Sequence, residues 1–494
     1  MGIIKKETFK GSTWSYAGAI LGFVNIGLIF PKIFSTSQIG LLSVLVAISA
    51  LFAQFSSLGM NSVTGRLFPY FKTNNEDKFS FFTLLIGVTL TGYVISLMIG
   101  LVFNDWIIDT QNNDSSLLHS YSIYLIPLTF FILMFNAFDN YNKMLYDITS
   151  GIFLKEFLLR ALIFISVILF ILNIINFEVF VLLYIASYLI PLLGLLLILF
   201  MRKNIAFRWN PTLFSPKMKR EIAMVAAFGI LAGFSGILIE QIDKYFVGRY
   251  LGLSEAGIYT IAFYIGTMIL IPSRALNKIS STLIAESWKD NDLETIKDIY
   301  RKSSISQYVF GLFLFIVILA NLHNIFTFLP HEFLSGRWVI IIFGFTSLVI
   351  MISGVSYSII STAKYYWYMT ALMIVQIATI VSANVILIPI WGINGAAIAT
   401  LISVAIIRLG SIIVIGYKSK IWPFQTQHIS ATAIAAIVFL ITLFIPDYPN
   451  IYFDSIVKSF IIFVSYISLI WIFNVSDFRA VLNSIAYKIL KKKQ

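Results

Sequence analysis

The chain has 494 residues, of which 59% are hydrophobic and only 12% charged, and its formal net charge is +12. That balance excludes an ordinary soluble domain, whose core could not bury so much apolar surface, and makes the bilayer the solvent. With no cysteine in the sequence, structural disulfides, thiol catalysis and thiolate-bound metals are excluded as well.

In chain order, fourteen apolar stretches of roughly twenty residues are long enough to cross a membrane as helices. The first seven lie at 12–30, 39–58, 79–103, 121–140, 152–172, 177–201 and 222–242. The second seven lie at 256–276, 305–322, 338–360, 369–388, 396–415, 429–445 and 456–475. The first stretch does not read as a cleaved signal, because its apolar run is too long and is followed by Pro31 and Lys32 in place of a small-residue cleavage site. The expected fold class is an all-α integral membrane protein with about 14 transmembrane helices.

The second half of the chain re-reads the first at an offset of 217 residues. Lys32, Ile33, Phe34, Ser37, Ile39, Gly40 and Leu41 reappear as Arg249, Tyr250, Leu251, Ser254, Ala256, Gly257 and Ile258. At the end of the same segment, Phe71, Lys72 and Asn74 align with Trp288, Lys289 and Asn291 without a gap. Two halves of like topology are the architecture of a secondary transporter. The expected organisation is a six-helix lobe at 1–201, a basic cytoplasmic linker at 202–221, a second six-helix lobe at 222–416, and a terminal helix pair with a basic tail at 417–494.

Basic residues set the orientation, since cytoplasmic loops retain Lys and Arg. With the N-terminus inside, the inner segments hold Lys5, Lys6 and Lys10, then Arg66, Lys72 and Lys78, then Lys143, Lys155 and Arg160, and later the rich linker and tail. The outer segments hold only Lys32, Lys244, Arg249, Arg337 and Lys458, while Arg274, Lys278 and Arg408 fall within apolar stretches. Both termini are therefore expected in the cytoplasm. The positive charge is explained by topology and attraction to an anionic inner leaflet, with no nucleic acid needed.

Enzymatic signatures are missing. His119, His323, His331 and His428 sit in or beside loops without paired spacing, so no metal site is expected. No Lys follows a Gly, which excludes a P-loop. The expectation is a transporter and not an enzyme, without a cofactor and with any coupling ion, sodium or proton, unidentified.

The run Asn384, Ile388, Pro389, Ile390, Trp391, Gly392, Ile393, Asn394, Gly395, Ala396, Ala397, Ile398, Ala399, Thr400 resembles the N..LIP..GinGAAiAT signature of bacterial polysaccharide flippases. These belong to the multidrug/oligosaccharidyl-lipid/polysaccharide exporter superfamily. Asp243, Gly248, Leu251, Ala256, Gly257 and Tyr259 resemble its D…G…L…A.G.Y pattern between spans seven and eight. The resemblance spans essentially the whole chain. It implies translocation of undecaprenyl-diphosphate-linked sugar repeat units across the bacterial inner membrane for O-antigen (lipopolysaccharide), capsule or exopolysaccharide assembly. It further implies membrane lipids, a polysaccharide polymerase and glycosyltransferases as partners. The signature itself also has a physical reading: Pro389 and Gly392 break one helix, and Gly395, Ala396, Ala397 and Ala399 begin the next with side chains small enough for close packing.

Candidate functional residues are ionisable or polar groups placed where lipid makes them costly. Arg274 and Lys278 are four apart, so they share a helix face and present two cations suited to a diphosphate, beside Pro272, which could bend the helix. The alternative is that both mark the end of a span and snorkel to lipid phosphates. Arg408, in span twelve, would demand a partner, for which Asp139 is a candidate by depth. Glu240, Asp243 and Lys244 are expected to form a gate or ion-coupling network, with Glu240 and Lys244 spaced as a helical pair, or Asp243 to cap a helix connection. Asp139, near the inner end of a span, joins the gating candidates, the first lobe having no convincing acid in the middle of a span. Asn25, Gln54 and Gln376 are placed either to meet sugar hydroxyls or to bond helix to helix.

The expected mechanism is rocking of two lobes about a central cavity, with the prenyl tail left in the bilayer through a lateral opening and spans thirteen and fourteen forming its groove. The rival readings are an ion-coupled multidrug exporter of the same superfamily and a non-transporting subunit of a polysaccharide assembly complex.

Overall fold

The computed structural model describes residues 2–72, 74–108 and 115–475, without the side chains of 2–9, 115, 116, 275, 278, 279 and 282. The basic tail at 476–494 and the side chains of Lys5, Lys6 and Lys278 therefore lie outside the described residues.

Among the described residues every regular element is helical. This is what lipid requires, because a helix satisfies its own backbone groups where no water can. The crossings in chain order are α1 (Lys10–Ile33), α2 (Thr36–Ser56), α3 (Asn75–Val102), α4 (Leu117–Met144), α5 (149–171), α6 (Phe177–Met201), α7 (Pro216–Leu251), α8 (Leu253–Arg274), α9 (Leu293–Ala320) and α10 (His331–Ile352). Then a single helical run, Trp367–Ser419, is broken at Gly392, where φ is 59° and ψ −140°, giving α11 (367–391) and α12 (393–419). A short apolar helix, α13 (Thr426–Thr442), and α14 (Ile451–Ile472) complete the set. Among the described residues the chain is thus an all-α membrane protein with eleven helices long and apolar enough to cross a membrane, and division of one of them at Gly392, where the signature predicts, together with α5 and α13 brings the set to about the fourteen expected from its sequence. Crossing α5 carries Lys155, Glu156 and Arg160.

Helix starts follow local chemistry. Ser35 and Gln38 form a reciprocal cap at α2, and Asn74, Asn176, Ser215 and Asp292 cap α3, α6, α7 and α9 through their side-chain oxygens. Two stretches are π-helical, Phe23–Ile29 within α1 and Phe153–Leu158 at the start of α5. Such widened turns concentrate at functional sites.

The repeat is visible as a helix pair. A Cβ on Gly40 would fall 1.8 Å from the Leu253 carbonyl oxygen, and one on Gly257 would fall 2.0 Å from the Thr36 carbonyl oxygen. The 217-residue offset of the sequence repeat maps Gly40 to Gly257 and Thr36 to Leu253, exchanging the two contacts, so α2 and α8 meet about a local two-fold relation through a glycine on each. A hydrogen bond of 2.7 Å between the Thr36 and Ser254 hydroxyls closes the contact. Small residues at such crossings let backbones approach, which is how helices associate without a hydrophobic driving force.

Contacts divide the chain into two compact units, one of 1–264 with 377–396 and the other of 265–376 with 397–494. This division differs from the lobes read from the repeat, since α7, the start of α8 and part of the α11 to α12 run group with the first half. In the first unit, a core of Phe68, Phe81, Phe82, Phe138 and Tyr141 lies around α3 and α4. The linker expected at 202–221 is tied to that unit. Tyr141 donates to the Asn204 carbonyl (3.0 Å), Arg208 N–H to Thr83 (3.1 Å) and Asn210 N–H to Ser80 (3.2 Å), while buried Phe214 packs on Phe71. In the second unit, α13 and α14 pack on α9 through Ala431, Ile434, Val438, Ile462 and Tyr466. Their junction is fastened by Lys458, which bridges Asp447 (2.6 Å) and Asp454 (2.8 Å), with Asn324 donating to Asp454 (2.5 Å). The Asn324 hydrogen bond to this ion network ties the terminal pair to the rest of the second unit.

Candidate functional site

Asp243, on α7, is 2% exposed. Its two oxygens accept from the Tyr259 hydroxyl of α8 (2.6 Å) and from the Asn384 side-chain amide of α11 (2.8 Å). The two signatures picked out in the sequence thus converge: Asp243 and Tyr259 from one meet Asn384 from the other. Neighbouring signature residues supply the close approach. A Cβ on Gly248 would lie 2.8 Å from Val44, and one on Gly395 2.1 Å from the Leu387 carbonyl oxygen. Asn384 is fully buried, and its Oδ1 has no hydrogen-bond partner among the described residues. An acceptor oxygen left open beside a buried carboxylate is a donor set for a small hard cation or a proton.

The expected pair of Glu240 and Lys244 does not form within 4 Å among the described residues. Glu240 is exposed, whereas Lys244 donates to Gln241 at 3.4 Å and lies 5.0 Å from the Phe263 ring centre. Helical spacing permits an i,i+4 pair, and here the Gln241 side chain and the aromatic face take the ammonium instead.

Sequence reasoning missed a second cluster in the same unit. Arg160 is counted with the inner segments in the charge tally although it falls in the fifth apolar stretch, and the structure has it inside α5, bonded to Glu156 one turn earlier at 2.9 Å. Asn25, in the π-helical turn of α1, donates to the Arg160 carbonyl (2.9 Å), and its own Oδ1 is buried without a hydrogen-bond partner among the described residues. Gly18 and Gly22 make room for this contact, since Cβ atoms there would meet the Glu156 carbonyl oxygen at 2.1 Å and Arg160 Nε at 2.9 Å. The first half therefore does carry an acid within a crossing, already neutralised by its own guanidinium.

The remaining candidates fall in distinct settings. Asp139 pairs with Lys143 at 2.5 Å on α4 and packs over Gly151. Gln54 lies in the notch left by Gly233, where a Cβ would come 1.9 Å from its Nε2, a contact of helix against helix. Gln376 is buried to 1% exposure on α11. Arg274 is exposed on the helix Ile271–Lys289, and Asn277 one turn on accepts from Gln307 (2.9 Å), which fastens that helix to α9. Arg408, on α12, is half-buried with the phenols of Tyr300 and Tyr357 as its electrostatic neighbours. No acid pairs with it among the described residues, and its Nε has no hydrogen-bond partner there.

No protein-family model matches the sequence, and no curated protein is significantly similar to it. Solved structures do match. A lipid II flippase, MurJ, in an inward closed conformation superposes with a TM-score of 0.74 over 96% of this chain and 99% of that one, at 13% identity. An inward-facing multidrug resistance MATE family transporter of the MOP superfamily gives 0.64 over 83% and 96%, at 14% identity. An outward-facing member of that MATE family gives 0.53 over 84% and 97%, at 13% identity. At these identities the likeness establishes the fold, and the chain is a multi-pass membrane protein built on the fold of the MurJ flippase and the MATE transporters.

Proposed function

We propose that the protein is a flippase that moves undecaprenyl-diphosphate-linked oligosaccharide repeat units from the inner to the outer leaflet of the bacterial inner membrane by alternating access. In this reading it serves O-antigen, capsule or exopolysaccharide biosynthesis. The observation that carries the reading is Arg408, a half-buried guanidinium within a crossing, flanked by phenols and without an acid partner among the described residues. A charge so placed is costly unless an anion completes it, and each phosphoryl group of a diphosphate offers the planar arginine fork a pair of acceptor oxygens. Arg274, with Lys278 one turn on, adds cationic reach on a helix of the same unit. The superposition along 96% of the chain on a lipid II flippase supports a lipid-linked substrate. Asp243, with Asn384, is assigned the coupling cation, sodium or proton, whose capture would bias the inward and outward states.

A second reading, an ion-coupled multidrug exporter, has that same buried acid cluster in its favour. The two separate in vesicles containing the purified protein. Movement of a labelled undecaprenyl-diphosphate oligosaccharide between leaflets supports the flippase. Ion-driven uptake of a cationic dye, without glycan movement, overturns it.

A further inference from the structure

Along α3 the first unit carries an open apolar groove of about 390 Å³, lined by Leu58, Thr83, Leu84, Gly87, Val88, Thr91 and Trp209. The lining is apolar for a chemical reason. Thr83 Oγ1 donates to the Phe79 carbonyl and accepts from Arg208 N–H, and Thr91 Oγ1 donates to the Gly87 carbonyl, so the threonines turn their hydroxyls to the backbone. Gly87 forms the floor, where a Cβ would meet nothing within 4 Å. Trp209 closes the linker end, stacked on Phe214 at 4.9 Å and 55% exposed. Immediately beyond Phe214, the first turns of α7 expose Lys217, Lys219 and Arg220. The basic-residue bias puts this end at the cytoplasmic leaflet.

We propose that this groove is a binding site for an anionic phospholipid of the inner leaflet, one acyl chain lying over Gly87 and the head group held by Trp209 and the three basic residues. The ligand follows from the chemistry: an apolar furrow on a crossing helix takes a hydrocarbon chain, an indole seats at the head-group level, and a cationic rim selects negative charge. A lipid held there pins the linker against α3 and leaves the arginines of the other unit untouched, so the site stands or falls apart from the substrate assignment.

The test is quenching of tryptophan fluorescence in vesicles of dibromostearoyl phosphatidylglycerol against vesicles of the corresponding phosphatidylcholine, with a Trp209→Phe variant subtracted to isolate the Trp209 signal. The Trp209 signal is expected to be quenched more by the anionic lipid. Gly87→Leu, whose Cβ would have open space around it, places an isobutyl group in the groove and is expected to abolish the excess. Neutralising Lys217, Lys219 and Arg220 to Gln is expected to remove the head-group preference, by about fivefold per charge. Equal quenching by the two lipids, or an excess unchanged in Gly87→Leu, would overturn the proposal. So would loss of the Trp209 quenching on dimer formation, which would assign the groove to a second copy of the chain.

Discussion

Two arginines inside crossings show how the same side chain can be spent or kept. Arg160 has its counter-charge four residues earlier in Glu156, at 2.9 Å, and its backbone carbonyl is taken by Asn25. Arg408 has phenols for neighbours and an Nε without a hydrogen-bond partner among the described residues. A guanidinium that already holds a carboxylate contributes to fold stability, whereas one without an acid within reach is available to a substrate anion. We propose on this comparison a structural role for the first and a substrate-binding role for the second.

The strongest way to break it is to remove the guanidinium from the paired site. Arg160→Ala leaves Glu156 uncompensated inside a crossing, with an expected loss of about 3 kcal/mol. In thermal unfolding of the purified protein this should appear as a large drop, and adding Glu156→Gln should restore most of it. If the double variant is no more stable than Arg160→Ala, the pair is not a matched one.

Arg408→Ala should do the reverse, leaving unfolding almost unchanged while weakening the binding of a diphosphate-linked glycan about 100-fold, the scale of two charge-assisted hydrogen bonds. Arg408→Lys should recover only part, because an ammonium is a point charge without the planar fork. Unfolding that falls as far as in Arg160→Ala would make Arg408 structural too.

A smaller effect is expected at the carboxylate cluster. Asp243→Asn keeps an acceptor for Tyr259 but removes the charge, so movement driven by an ion gradient should fall about tenfold while downhill exchange persists. Equal loss of both would make Asp243 a packing residue.

The smallest expected effect lies outside the crossings, at Asp147. Burial pushes its carboxyl up, but the Ser150 hydroxyl (2.7 Å) and N–H (3.1 Å), with Arg202 (2.5 Å), outweigh that and hold it below its ordinary value. A depressed carboxyl stabilises the fold above the unfolded value and loses that contribution as pH falls through the folded one. Below about pH 4 the unfolding temperature should therefore fall more steeply in the natural protein than in Asp147→Asn, by the equivalent of about 0.5 kcal/mol.

Much of this architecture is readable in the sequence because the bilayer imposes it. Apolar length marks the crossings, and a strict offset of 217 marks the glycines that meet as Gly40 and Gly257. Gly392 announces its own break, having the one backbone in that run no other residue adopts comfortably. The clusters are harder to read because their members are far apart in the chain. Asn384 reaches Asp243 across 141 residues, and no spacing rule connects them; only their membership of two signatures hints at it. Arg160 is hard to read for a different reason, since it falls inside the apolar stretch 152–172 and is still counted with the inner segments. A charge tally assigns ionisable residues to the ends of apolar runs, and an arginine one turn past a glutamate in a π-helical start looks like such an end. The signal that would have found it is the same i,i+4 rule applied to opposite charges within a crossing.

The measurement that bears most directly on the central claim is leaflet accessibility of a labelled undecaprenyl-diphosphate oligosaccharide in vesicles containing either the natural protein or Arg408→Ala. The account predicts protein-dependent movement that is lost in Arg408→Ala with equal protein incorporated and equal unfolding temperature. Movement that continues unchanged in Arg408→Ala would contradict it.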